Sequence, residues 1–211
     1  MTIRRGEDWG ASGPLASGAP VCADDATAAS ALAAQLAAGT DPPEVGLTGG
    51  DLHRTLGGPR RGATELRTGM GVRYPVDLLE LECTDPDGSV RSMFALSSVV
   101  VGSGRRLWDG RWTVLMNGTC WQDWDLGPRA HPNDGLVDVT DGTLPRRVRK
   151  EARRRSVTGT HVPHPDLRQE RVAVHVVEGL AGRRLLVDGV RVPTPARLVV
   201  RVCPDAAVVV A

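Results

Sequence analysis

The chain has 211 residues, of which 41% are hydrophobic and only 3% aromatic, and it carries a formal net charge of +1. Those proportions allow one or two packed cores built from Val, Leu and Ala rather than from rings. They give no electrostatic footprint for nucleic acid, and no run of about 18 apolar residues is present to cross a bilayer.

The polar start, Met1–Gly10, has no apolar signal core, which points to the cytoplasm. The four cysteines, Cys22, Cys83, Cys120 and Cys203, form no Cys-x-x-Cys pair and read as reduced small hydrophobes. Residues 1–20 are rich in Gly, Ser and Pro and predict an extended arm with Trp9 as its anchor. Asp24 or Asp25 can cap a helix over 26–38, which Gly39 ends. Asp41-Pro42-Pro43 breaks the chain. Val45–Thr48 predicts a short buried strand, and Gly49-Gly50-Asp51 leads into a helical turn over 52–56. Residues 60–71 read as a polar connection, which sets the expected boundary between a segment 1–65 and a domain 66–211.

From Val72 the pattern becomes β. Strands are predicted over 74–83 and 90–101, joined by the turn Asp85-Pro86-Asp87-Gly88. Further strands are predicted over 111–118 and 136–139, the latter after the turn Pro132-Asn133-Asp134-Gly135. A helix over 144–155 follows, then strands over 172–177, 184–187, 190–192, 198–203 and 207–210. Asp188-Gly189 and Pro204-Asp205 mark turns. Short strands at this spacing predict a sandwich.

Several groups could carry chemistry. Gly49 and Gly50 would let backbone N–H groups approach a phosphate, with Asp51 beside them; a plain strand-to-helix turn explains them as well. His161 and His164 are bracketed by Pro163 and Pro165, which prevent the helix that would align two imidazoles on a metal. The stretch 146–155 holds seven cations and one anion, enough either for a solvated helix or for contact with an anionic membrane surface. Trp108, Trp112, Trp121 and Trp124 could floor an apolar site or simply pack.

From about Tyr74 onward the chain resembles the C-terminal β-sandwich domain of the bacterial diacylglycerol kinase and related lipid kinase family. Pro75-Val76-Asp77, Met93-Phe94 and Met116-Asn117-Gly118 fall in the family's order. The run Pro128–Val139 is similar to its Pro-x-Ala-x-Pro-Asp-Asp-Gly-Leu-Leu-Asp-Val signature. Gly159-Thr160-His161 and Val187-Asp188-Gly189 match its Gly-x-His and Asp-Gly-Glu. The resemblance implies an α+β fold, mainly a β-sandwich of the lipid kinase C-terminal type with a small N-terminal α/β segment. It also implies ATP-dependent phosphoryl transfer to a diacylglycerol-type hydroxyl. ATP would meet Gly49, Gly50 and Asp51, and Asp188 would be the carboxylate nearest the family's base. Asn133 and Asp134 would hold a structural magnesium. Leu52 and His53 stand where the family has Gly and Thr, and a leucine there would crowd a phosphate. Val190 replaces the glutamate and cannot accept a proton. The alternative implied is a non-catalytic lipid- or nucleotide-binding module, peripheral to the membrane through 146–155. A homodimer, or a partner chain completing the nucleotide domain, is open.

Overall fold

A computed structural model describes residues 9–211; the first eight residues of the expected arm lie outside the described residues. Trp9 anchors the arm as expected. Its indole N–H donates to the Pro75 carbonyl at 2.9 Å, and its ring packs on Tyr74 and His131. Strands β1 (Ala11–Ser12) and β2 (Val21–Cys22) follow. Helix α1 (Asp25–Ala37) begins where Asp24 Oδ1 accepts from Thr27 N at 2.8 Å, an N-cap. Strand β3 (Glu44–Leu47) is buried at every position, and α2 (Gly50–Leu56) leaves it through Gly49. A third helix, α3 (Ala63–Arg67), interrupts the stretch predicted as a polar connection. Its residues favour helix, and Glu65 closes the first turn by accepting from Gly62 N at 2.7 Å.

The β part is built on one long antiparallel pair, β4 (Val72–Thr84) and β15 (Arg197–Val210). The sequence predicts two strands where β15 is one. Pro204-Asp205 is absorbed as a bulge between Cys203 and Ala207, with Asp205 at φ +52°. One end of the pair belongs to the sandwich. At the other end β3 adds parallel to β15 at 208–210, and β2 adds to β3. The N-terminal segment thus shares a sheet with the rest of the chain.

The alternation predicts single strands over 90–101 and 172–177. The structure has two strands in each case, and the members belong to different sheets. Strand β5 (Val90–Ala95) pairs with β4, whereas β6 (Ser98–Gly102) pairs with β7 (Arg111–Met116). After a small hairpin, β8 (Cys120–Trp121) and β9 (Trp124–Asp125), comes β10 (Val137–Thr143). Helix α4 (Arg146–Ser156) leads to β11 (Leu167–Val172), which pairs with β10, while β12 (Val174–Val177) crosses back to β15. Strands β13 (Arg184–Val187) and β14 (Val190–Val192) form the predicted hairpin. The second sheet therefore runs β11-β10-β7-β6-β13-β14.

Leu79, Leu81, Leu198 and Val200 of the first sheet meet Val99, Leu115, Val137 and Leu185 of the second in the main core. A second core packs Leu32, Leu47 and Leu52 on Val76, Leu78 and Val209. A third lies under α4, with Trp108, Trp112, Trp121 and Leu144. Each such side chain, fully buried, contributes about 1.5–3 kcal/mol. The architecture is the expected sandwich with a small α/β segment. Among the described residues no helix is long and apolar enough to cross a membrane.

Candidate functional site

The junction of β3 and α2 presents the N–H groups that a phosphate would use, and two of them, those of Asp51 and Leu52, are already engaged. Asp25, buried in the first turn of α1, accepts from Asp51 N at 2.6 Å and from Leu52 N at 3.1 Å. The glycines make room for this contact. A Cβ on Gly50 would stand 2.8 Å from Asp25 Cγ, and one on Gly49 would stand 2.7 Å from the Ala23 carbonyl oxygen. Gly50 also has φ +97°, which other residues adopt only under strain. Leu52 turns into the core and does not crowd the cradle; the side chain that fills it is Asp25. Burial pushes the Asp25 carboxyl up to about 8, helped by the nearby Asp188 and against the two backbone donors. A phosphate taking the Asp51 and Leu52 N–H groups would have to displace the Asp25 carboxyl.

Asp51 faces the other direction. Both its oxygens accept from Gln122 N at 3.0 Å, and it pairs with Arg54. One turn later Thr55 Oγ1 accepts from Cys120 N at 3.2 Å. Together they hold the β8–β9 hairpin, whose turn residue Gln122 has φ +51°.

Asp188 lies close enough to Asp25 and Asp51 for their charges to couple. Its carboxyl points inward and accepts from Leu96 N (2.8 Å), Ser97 N (2.8 Å) and Ser98 N (2.9 Å). These are the N–H groups freed where β5 turns into β6. One carboxyl therefore satisfies the sheet-switching corner that the sequence does not reveal. Burial raises it to about 6 despite those donors. Val190, at the position of the family's glutamate, is exposed.

Asn133 and Asp134 lie apart from this cluster, on the turn before β10. The Asn133 amide nitrogen donates to Asp205 Oδ1 at 2.8 Å, and the Asp134 carboxylate accepts from Leu136 N at 3.0 Å and pairs with Arg171. Arg171 Nε also donates to Asp138 Oδ1 at 2.7 Å. A guanidinium thus bridges the two carboxylates of the Asn-Asp-Gly-Leu-Val-Asp run. Asp134 is committed to a guanidinium, while Asn133 meets Asp205 through its amide nitrogen, which is not a metal-ligating atom. Among the described residues no three His, Cys, Asp or Glu side chains could hold a metal ion.

A cleft of about 400 Å³ lies beside α4. Its floor is Leu107, Trp112, Trp121, Trp124 and Leu186, and Arg105, Arg106, Arg153 and Arg184 stand around it. Trp121 and Trp124 stack with centroids 5.4 Å apart, and Trp112 meets Trp121 edge-on. The indole N–H of Trp121 is buried with no hydrogen-bond partner among the described residues. Of the four clustered tryptophans, Trp108 alone stays out of the cleft, fully buried on His161. Sequence reading finds the tryptophans but not the arginines, which come from three separate elements.

No family model matches the chain, and no curated protein matches it. Its fold does match solved structures. One, described as a diacylglycerol kinase from Bacillus anthracis, has a TM-score of 0.59 at 12% identity, covering 79% of this chain and 69% of the other. Two more from the same organism, described likewise, match at TM-scores of 0.51 and 0.50 with 14% identity, each covering 79% of this chain and 69% and 66% of theirs. At these identities the likeness is one of fold.

Proposed function

We propose that this chain, whose fold is that of the diacylglycerol kinases, is a non-catalytic lipid-binding module that holds an anionic amphiphile in the tryptophan–arginine cleft. The observation that carries this reading is how the Gly-Gly-Asp run is used. The Asp51 N–H, together with that of Leu52, is spent on Asp25, and the Asp51 carboxylate on the hairpin that presents Trp121 and Trp124. Elements that would hold a nucleotide in a kinase here brace the wall of a cleft. Asp188 is spent on the corner at 96–98, and Val190 offers no base. The cleft has the make-up of an amphiphile site: stacked indoles for an acyl chain, and the exposed guanidinium groups of Arg105 and Arg106 for an acidic head, while Arg153 is held by Asp109 and Arg184 by the Gly104 carbonyl.

The test uses tryptophan fluorescence with monomeric dodecyl phosphate, and dodecyl maltoside as the uncharged control. The phosphate amphiphile is expected to shift the emission saturably, and Trp124→Ala to weaken binding about tenfold, the effect of losing roughly 1.4 kcal/mol of aromatic contact. Equal response to both detergents would remove the role of the arginines. Phosphoryl transfer from ATP–magnesium to diacylglycerol would overturn the reading and restore the kinase.

A further inference from the structure

A second, smaller cavity of about 190 Å³ lies on another face of α4, against the loop that follows it. Its lining includes Arg147, Glu151 and Arg155 from the helix and His161 and His164 from the loop. Residues 147, 151 and 155 are four apart, so they share one face. The charges on that face do not cancel. Glu151 is held by Arg154 through bonds of 2.8 and 3.0 Å, whereas Arg147 and Arg155 are exposed and, among the described residues, form no ion pair. Exposed arginines alone would be a solvated surface. His161 makes this a site. It is 2% exposed, and neither ring nitrogen has a hydrogen-bond partner among the described residues. An imidazole carries one N–H that must donate, and leaving a buried donor unsatisfied costs about 1–3 kcal/mol. Its ring is fixed from behind by Trp108, whose own N–H is taken by Ser156 Oγ at 3.2 Å.

We infer that this cavity binds a phosphate monoester group, with the Arg147 and Arg155 guanidinium groups as its charge partners and His161 N–H as the buried donor. Two forked cations and one neutral donor lining a small concavity match the charge and the acceptor oxygens of a phosphoryl group. The inference is independent of the tryptophan cleft, because it uses none of its lining residues. The same chemistry could be presented by a soluble phosphate or by a phospholipid headgroup.

The test follows the His161 ring nitrogens by long-range 1H–15N spectra of the full chain. Three probes are titrated: inorganic phosphate, glycerol 3-phosphate, and vesicles of phosphatidate in phosphatidylcholine. A saturable shift of the His161 resonances is expected with at least one probe. Shifts with the two soluble probes identify a soluble ligand, and a response to vesicles alone identifies a headgroup. Arg155→Gln should weaken the response at least tenfold. Arg146→Gln removes one charge from the same helix outside the cavity and should leave it within twofold. Unmoved His161 resonances with all three probes overturn the inference. So does an equal loss in the two variants, which would mark general attraction to a basic helix. Circular dichroism of Arg155→Gln checks that α4 persists; should it unfold, Arg147→Gln carries the same comparison.

Discussion

At the scale of single residues, the account rests on Asp25 and on the glycines that admit it. Gly50→Ala places a methyl group against the Asp25 carboxyl at a positive φ. It should lower stability by at least about 2 kcal/mol, read as a fall in the urea midpoint at unchanged slope. The pH dependence has a definite sign. Burial raises Asp25 to about 8 and Asp188 to about 6, and it raises Asp77 as well. Each binds its proton more tightly folded than unfolded, where a carboxyl titrates near pH 4. Their stabilising contribution is therefore complete below about pH 4 and is lost as pH rises through 6 and then 8. Urea unfolding between pH 5 and 8.5 should show that decline, and Asp25→Asn should flatten its upper part. A steady rise in stability across the range would contradict the assignment. The sequence displays Asp24-Asp25 at a helix start, and it predicts that one of them caps. It cannot show that the other reaches a turn 26 residues away. Asp188 is similar: its tight turn is legible, but its acceptor role needs N–H groups about ninety residues earlier.

At the scale of elements, two couplings organise the molecule. Helix α2 holds the β8–β9 hairpin through Asp51 and Thr55, so Asp51→Ala should loosen the hairpin and weaken dodecyl phosphate binding without touching the ligand. The expected readout is a several-fold higher Kd with the far-ultraviolet spectrum unchanged. Arg171, on β11, ties Asp134 and Asp138 across the edge of the second sheet. Asp138 is nearly buried, and Arg171→Met leaves it without its cation. A loss of about 1–3 kcal/mol is expected, less than for a fully buried pair because the arginine is partly exposed. The elements themselves were largely legible where turn residues mark them: the β13–β14 hairpin at Asp188-Gly189 and the turn at Asp85–Gly88 stand where the sequence puts them. The corners at Leu96-Ser97 and Ala173 were not. A strand that changes sheets keeps its apolar side toward the same core, so its alternation carries no mark of the switch. The bulge in β15 misleads in the other direction, because Pro204-Asp205 has the composition of a turn.

At the scale of the whole molecule, the fold followed from the order of motifs, and the function did not, because the groups at the motif positions have found partners within the chain. The β4–β15 pair joins the α/β segment to the sandwich in one sheet, so the filled cradle and the tryptophan cleft belong to one braced structure. The most direct test is the thermal midpoint of the unmodified protein in millimolar ATP and magnesium. A native-state ligand at a hundred times its Kd would add about 2.7 kcal/mol, which for a chain of this size is roughly 5–10 °C. With Asp25 in the cradle and Arg171 between the carboxylates, the midpoint should not move. A saturable, magnesium-dependent rise would contradict the account at its centre.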